Sequence, residues 1–107
     1  MVQGERNYNK SINLWKQILE QVNDNNIEFL LLELHMTGRF LPNENLGITQ
    51  VLIEMIKPLT LTIALVDSQT ESFHDNYIAG VIAKQQNISI KIFHDLETAQ
   101  LWINAQI

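Results

Sequence analysis

The chain contains no cysteine, which excludes a disulfide framework, a thiolate nucleophile and any Cys-ligated zinc or iron–sulfur centre. Proline occurs twice and glycine four times in 107 residues, and no Pro-rich or Gly/Ser-rich linker or fixed-period repeat divides the chain. Charge is scarce as well: 18% of residues are ionic, with seven Lys+Arg against twelve Asp+Glu and a net charge of −5. Such a balance lacks the basic face needed to displace counterions from nucleic acid or to hold an anionic membrane. The longest apolar runs, Phe29–Leu32 and Ile63–Val66, fall far short of the roughly 20 residues that span a bilayer. Nor does the opening Met1-Val2-Gln3-Gly4-Glu5-Arg6 carry the apolar segment of a signal peptide. What these absences leave is one domain over residues 1–107, expected in the cytoplasm, with a hydrophobic fraction of 46% that suffices for a core.

What is present is an alternation of helical and strand patterns. Ile12, Trp15, Ile18, Leu19 and Val22 recur at helical spacing, with Asn9 or Ser11 placed to cap the helix start and Asn23-Asp24-Asn25-Asn26 to stop it. Residues Ile27–His35 are almost continuously apolar, the pattern of a strand covered on both faces. A loop with Gly38, Pro42 and Asn43 precedes a second helical stripe (Ile48, Val51, Leu52, Met55, Ile56) that Pro58 ends. Leu59–Val66 reads as a second central strand. Ser68 and Glu71 then have capping-box spacing ahead of a helix that places Phe73, Tyr77, Ile78, Val81 and Ile82 on the core. Ile88–Phe93 alternates as an edge strand does, and Asp95 can cap a helix carrying Leu96, Ala99, Trp102 and Ile103.

The order is α-β-α-β-α-β-α: an α/β domain with a small parallel or mixed sheet joined by right-handed crossovers. Three strands make a thin sheet, to which Val2-Gln3 could add a short fourth. A second copy of the chain, completing the buried surface, is the expected partner.

In a parallel α/β sheet ligands gather at the carboxyl ends of strands. The polar residues there are His35 with Thr37, Asp67 with Ser68, and His94 with Asp95. A His–Asp–His set has the chemistry for acid/base work or metal binding, but Asp67, Ser68 and Asp95 are equally ordinary helix caps. Thr37, Gly38 and Arg39 have the composition of an anion cradle, since glycine admits close backbone approach and arginine binds oxyanions bidentately. No histidine pair has the i, i+4 spacing of a helical metal site, so no metal is expected, and with neither GxxxxGK(S/T) nor GxGxxG in the chain no cofactor is expected. Ser68 lacks the glycines of a nucleophile elbow. Glu28 and Glu33 fall on opposite faces of the first long strand and make no glycosidase pair. Trp15 and Trp102 read as core packing, whereas Met36 and Phe40, in a predicted loop, are candidate interface residues.

The final third carries a family pattern. Leu61–Val66 (LTIALV) is followed by a helix around Asn76-Tyr77 and then by Phe93-His94-Asp95-Leu96-Glu97-Thr98-Ala99-Gln100-Leu101-Trp102-Ile103. This resembles the SpoIIAA-like branch of the STAS superfamily, whose members show a strand, a helix and then "vFxdxxeAxxWL". Phe93, Asp95, Ala99 and Trp102 stand on the matching positions, with Ile103 in place of leucine, and Gly4-Glu5 ahead of the Trp15 helix is similar to that family's opening. The resemblance implies a SpoIIAA-like fold truncated at its N-terminal strands, related to lipid-carrier domains of the CRAL-TRIO type. The Asp-Ser-Ser/Thr-Gly phosphorylation motif of anti-sigma-factor antagonists has no counterpart in Met36-Thr37-Gly38-Arg39-Phe40. The leading expectation is therefore a non-enzymatic interaction module acting as a homodimer. A carrier of small apolar molecules or lipids comes second, and an enzyme built on His35, Asp67 and His94 last.

Overall fold

The computed structural model describes residues 2–5, 7–37 and 40–107, the side chains of residues 2–5, 37, 70 and 71 excepted. Along the chain run β1 (Val2–Glu5), α1 (Tyr8–Asp24), β2 (Phe29–Thr37), α2 (Pro42–Ile56), β3 (Thr62–Asp67), α3 (Thr70–Gln85), β4 (Ser89–Phe93) and α4 (Leu96–Gln106). The strands pair in parallel in the order β1-β2-β3-β4, so each crossover steps the chain one strand along in the same direction. Crossovers of one hand then place their helices on one face of the sheet, and α1, α2 and α3 do pack side by side there. Helix α4 returns to the other face and lies on β2, β3 and β4.

The α/β alternation expected from the sequence is present, with Val2–Glu5 as a fourth strand against β2. The expected edge position of Ile88–Phe93 also holds, since β4 ends the sheet. Each strand face can be traced through the register. Leu30, Leu32, Ile63, Leu65, Ile90 and Ile92 meet the three-helix layer, while Phe29, Leu31, Ala64, Val66 and Phe93 meet α4. Ile63 and Ala64 are 0% exposed, which makes β3 the strand most completely removed from water.

Several local expectations differ from what forms. Helix α1 is capped by Asn7, whose Oδ1 accepts the Lys10 N–H at 3.1 Å, so Asn9 and Ser11 lie inside the helix. Helix α2 starts at Pro42, earlier than the loop reading allowed; proline at the first helical position lacks only an N–H that has no intrahelical acceptor. Glu44 Oε1 accepts the Leu41 N–H at 3.0 Å and so reaches back over the helix start. The N-cap of α3 is Gln69, with no side-chain cap bond, and not Ser68. On α3, Phe73 and Ile82 pack against the core as expected, but Tyr77, Ile78 and Val81 are exposed, and Ala83 is buried in their stead.

The joins from α1 to β2 and from α3 to β4 use the same device. Asn26 and Asn87 adopt φ of 52° and 65°, the left-handed region that an L-residue enters at a cost and asparagine tolerates best after glycine. Each sits between two backbone bonds that close the helix: Ile27 N–H to Val22 O (3.0 Å) with Asn26 N–H to Asn23 O (3.3 Å), and Ile88 N–H to Ala83 O (3.1 Å) with Asn87 N–H to Lys84 O (3.0 Å). That pair of bonds defines the Schellman ending. In the second case Ala83 and Ile88 are both buried in the same core cluster.

Asp95 caps α4 as expected, accepting the Thr98 N–H at 2.8 Å and the Thr98 hydroxyl at 3.0 Å. Those two bonds, the backbone one first, hold its carboxyl below the ordinary aspartate range. A carboxyl whose pKa is depressed by folding stabilises above its unfolded pKa and loses that contribution as pH falls through the folded one. Asp95→Asn should accordingly flatten the acid limb of a stability-versus-pH curve below about pH 4, and an unchanged limb would show that the cap is not formed in solution. Asn87→Ala should cost about 1 kcal/mol while Asn87→Gly costs nothing, because only alanine resists the left-handed conformation. Urea midpoints of the two variants check this; equal losses would contradict the αL assignment.

Candidate functional site

The carboxyl edge of the sheet is where strands stop and helices start, so polar side chains collect there. Asp67, the last residue of β3, is 1% exposed. Its Oδ1 accepts the Gln69 N–H at 3.1 Å and its Oδ2 accepts from Asn76 Nδ2 at 2.8 Å. A buried carboxylate needs such donors to offset the loss of water. Asp67 thereby ties the end of β3 to the entry and second turn of α3, and fixes which way the Asn76 amide points. Ser72, also buried, donates to Gln69 O at 3.2 Å and completes the turn.

The sequence candidates divide between the two faces. Leu34 is the register partner of Asp67, and His35 is one residue further along β2, on the opposite face. His35 points to the α4 side, where its Nε2 lies 2.9 Å from Glu33 Oε1. Glu33 is thus half-buried beside a histidine, neither at the strand end nor deep in the core. His94 stacks on Phe73, with ring centroids 3.6 Å apart and planes 25° from parallel, on the side of the three-helix layer. His35 and Asp67 are therefore not brought together, and a three-residue His35–Asp67–His94 centre is not assembled. Ser68 is exposed. Arg39 and the side chain of Thr37 lie outside the described residues. Among the described residues, no three histidine, aspartate or glutamate side chains converge as a metal would require.

Two features without polar motifs stand out instead. The first is a cavity of about 90 Å³ between the three-helix layer and the sheet, floored by Leu34, Leu65 and Ile92 and walled by Trp15, Ile48 and Ala83. Ser11, Asn45, Thr49 and Asn76 are the polar groups on its wall. They come from the early turns of α1, α2 and α3, at the carboxyl edge. The second is an apolar strip on the outside of α2 and α3. Leu41, Leu46 and Ile78 are exposed there, bordering a groove that also takes in Phe40, Pro42 and Ile82. Met36, expected in a loop, belongs to β2 and is half-buried on the cavity wall; Phe40 lines both cavity and groove.

Trp15 and Trp102 are half-buried against core clusters. The Trp102 ring lies 5.7 Å from that of Phe93, and the Lys91 Nζ stands 5.5 and 5.9 Å from the Phe93 and Trp102 ring centres, within cation–π range.

No helix among the described residues is long and apolar enough to cross a membrane. Compared with protein-family models, curated proteins and solved structures, the chain matches none.

Removing the Asp67 carboxylate leaves the Asn76 amide and the Gln69 N–H without their acceptor. Asp67→Ala should lower stability by about 2–3 kcal/mol, and Asp67→Asn, which keeps one acceptor oxygen, should recover part of that. Thermal or urea unfolding decides it; a loss below about 0.5 kcal/mol for alanine would mean that water replaces the carboxylate without cost.

Proposed function

We propose that this chain is a non-enzymatic SpoIIAA-like module of the STAS superfamily, working through protein contacts as a homodimer. The observation that carries the reading is the exposed apolar strip of Leu41, Leu46 and Ile78 beside Phe40. Single exposed apolar residues are commonplace, but a contiguous set bordering a groove marks an interaction surface. Helix α3 adds to it. With Phe73 and Ala83 turned inward and Tyr77, Ile78 and Val81 outward, it is apolar on both sides, as a helix covered on both sides would be.

The family part of the proposal rests on the closing motif, each residue of which has a place in the fold. Phe93 ends β4 against α4, Asp95 caps α4, and Ala99 and Ile103 are buried against β3 with Trp102 beside them. The separation of His35 from Asp67 favours interaction over catalysis. A lipid held inside the fold is disfavoured by size: the cavity of about 90 Å³ between helices and sheet is smaller than the roughly 150 Å³ that admits benzene.

Native mass spectrometry at tens of micromolar should give a dimer for the wild type and a monomer for Leu46→Asp/Ile78→Asp, with an unchanged circular dichroism spectrum. Both residues are exposed, so the substitutions leave the core intact. A wild-type monomer, or a variant that stays dimeric, would overturn the proposal.

A further inference from the structure

The cavity behind the helix layer contains a feature that packing alone leaves unexplained. Ser11 is 7% exposed, yet its hydroxyl has no hydrogen-bond partner among the described contacts; only its backbone N–H is engaged, to Asn7 O. A buried hydroxyl left unpaired costs free energy comparable to a lost hydrogen bond. The oxygen is not sealed off, since no buried side-chain polar atom is both fully enclosed and unpartnered. It opens on the cavity whose wall Ser11 forms.

Ser11 is not alone. Among the described residues the Asn45 side chain forms no hydrogen bond either. Thr49 Oγ1 donates to Asn45 O at 2.8 Å and keeps its own lone pairs for a further donor. Asn76 spends one amide hydrogen on Asp67 Oδ2, which orients its amide and leaves the carbonyl oxygen uncommitted. These four residues supply both donors and acceptors, all uncharged, at the end of the cavity near the strand C-termini. The remaining wall is apolar, and among the described residues no charged side chain lines it.

We infer that this cavity is a binding site for a small uncharged molecule with a compact apolar body and one hydrogen-bonding head, an alcohol or a primary amide. The head meets Ser11 with Asn45, Thr49 and Asn76, and the body lies among Ile48, Leu65 and Ile92. A charged ligand is disfavoured because a buried ion would find no counter-charge among the described lining residues. Size follows from volume: below the roughly 150 Å³ that takes up six-carbon benzene, the site holds about four or five heavy atoms. This inference does not rest on the proposed dimer, although Phe40, Asn45 and Thr49 line both the cavity and the outer groove.

Methyl-detected NMR on the full chain tests it, with n-butanol, n-butylammonium and xenon as the three probes. Expected are saturable n-butanol shifts at the Ile48 and Ile92 methyls and none with n-butylammonium. Ser11→Ala should weaken n-butanol binding about five- to tenfold, the effect of one neutral hydrogen bond, while xenon binding is unchanged. Thr49→Val serves as a second such variant should Ser11→Ala fail to fold. Xenon binding without n-butanol binding would show a mere packing void and overturn the inference. So would equal binding of the ammonium, n-butanol affinity unaltered in the polar variants, or no saturable shift with any probe.

Discussion

Strand β3 is apolar on both faces, and the rest of the molecule is arranged around covering it. Ile63 and Leu65 demand a layer on one side, Ala64 and Val66 a layer on the other. The first demand is met by three crossover helices, which the one-directional strand order places together. The second is met by α4 alone. Its seat depends on small side chains: Ala64 and Ala99 share one cluster and are both 0% exposed, so helix and strand approach closely. Phe93 and Trp102 then close the flank of that contact.

Covering the sheet unequally has a chemical outcome. Beyond the reach of α4, the second face of β2 continues as Glu33 and His35, which pair with each other in partial contact with solvent. On the better-covered side the three helices leave a cavity between themselves and the sheet, and Asp67 holds α3 through Asn76, which lines it. Asp67 and Ser72 on that side are buried and specifically bonded, whereas Glu33 and His35 on the other stay in partial contact with solvent.

Much of the fold was legible in the sequence because its elements are long and strongly patterned. The apolar run of β2, the LTIALV run of β3 and the alternation of β4 each identify a strand, and Asp95 announces its helix. Four residues, Val-Gln-Gly-Glu, identify β1 far less well, since it joins the sheet through backbone pairing, which leaves little mark on composition. Helix α3 misled the face assignment because it is apolar on two sides, so spacing cannot say which one is inward. The asparagine run ending at Asn26 signals the first helix stop, whereas the asparagine-isoleucine pair at 87–88 carries the same signal without a run to mark it. The site was least legible. Which strand-end residues share a face depends on register, which put His35 and Asp67 on opposite sides. A cavity built by Ser11, Asn45, Thr49 and Asn76 from three helices has no contiguous sequence at all.

Helix α4 also sets the timing of assembly. β1 through β4, with the three crossover helices, touch mainly their neighbours in the chain, so each unit can settle on the one before it as the polypeptide is made. The face formed by Phe29, Leu31, Ala64 and Val66 has no such neighbour, and its cover follows β4 in the chain. Until α4 has left the ribosome, that face is an apolar surface in water. The growing chain is most prone to aggregation in this interval, which ends when α4, capped by Asp95, docks on Ala64 and Val66.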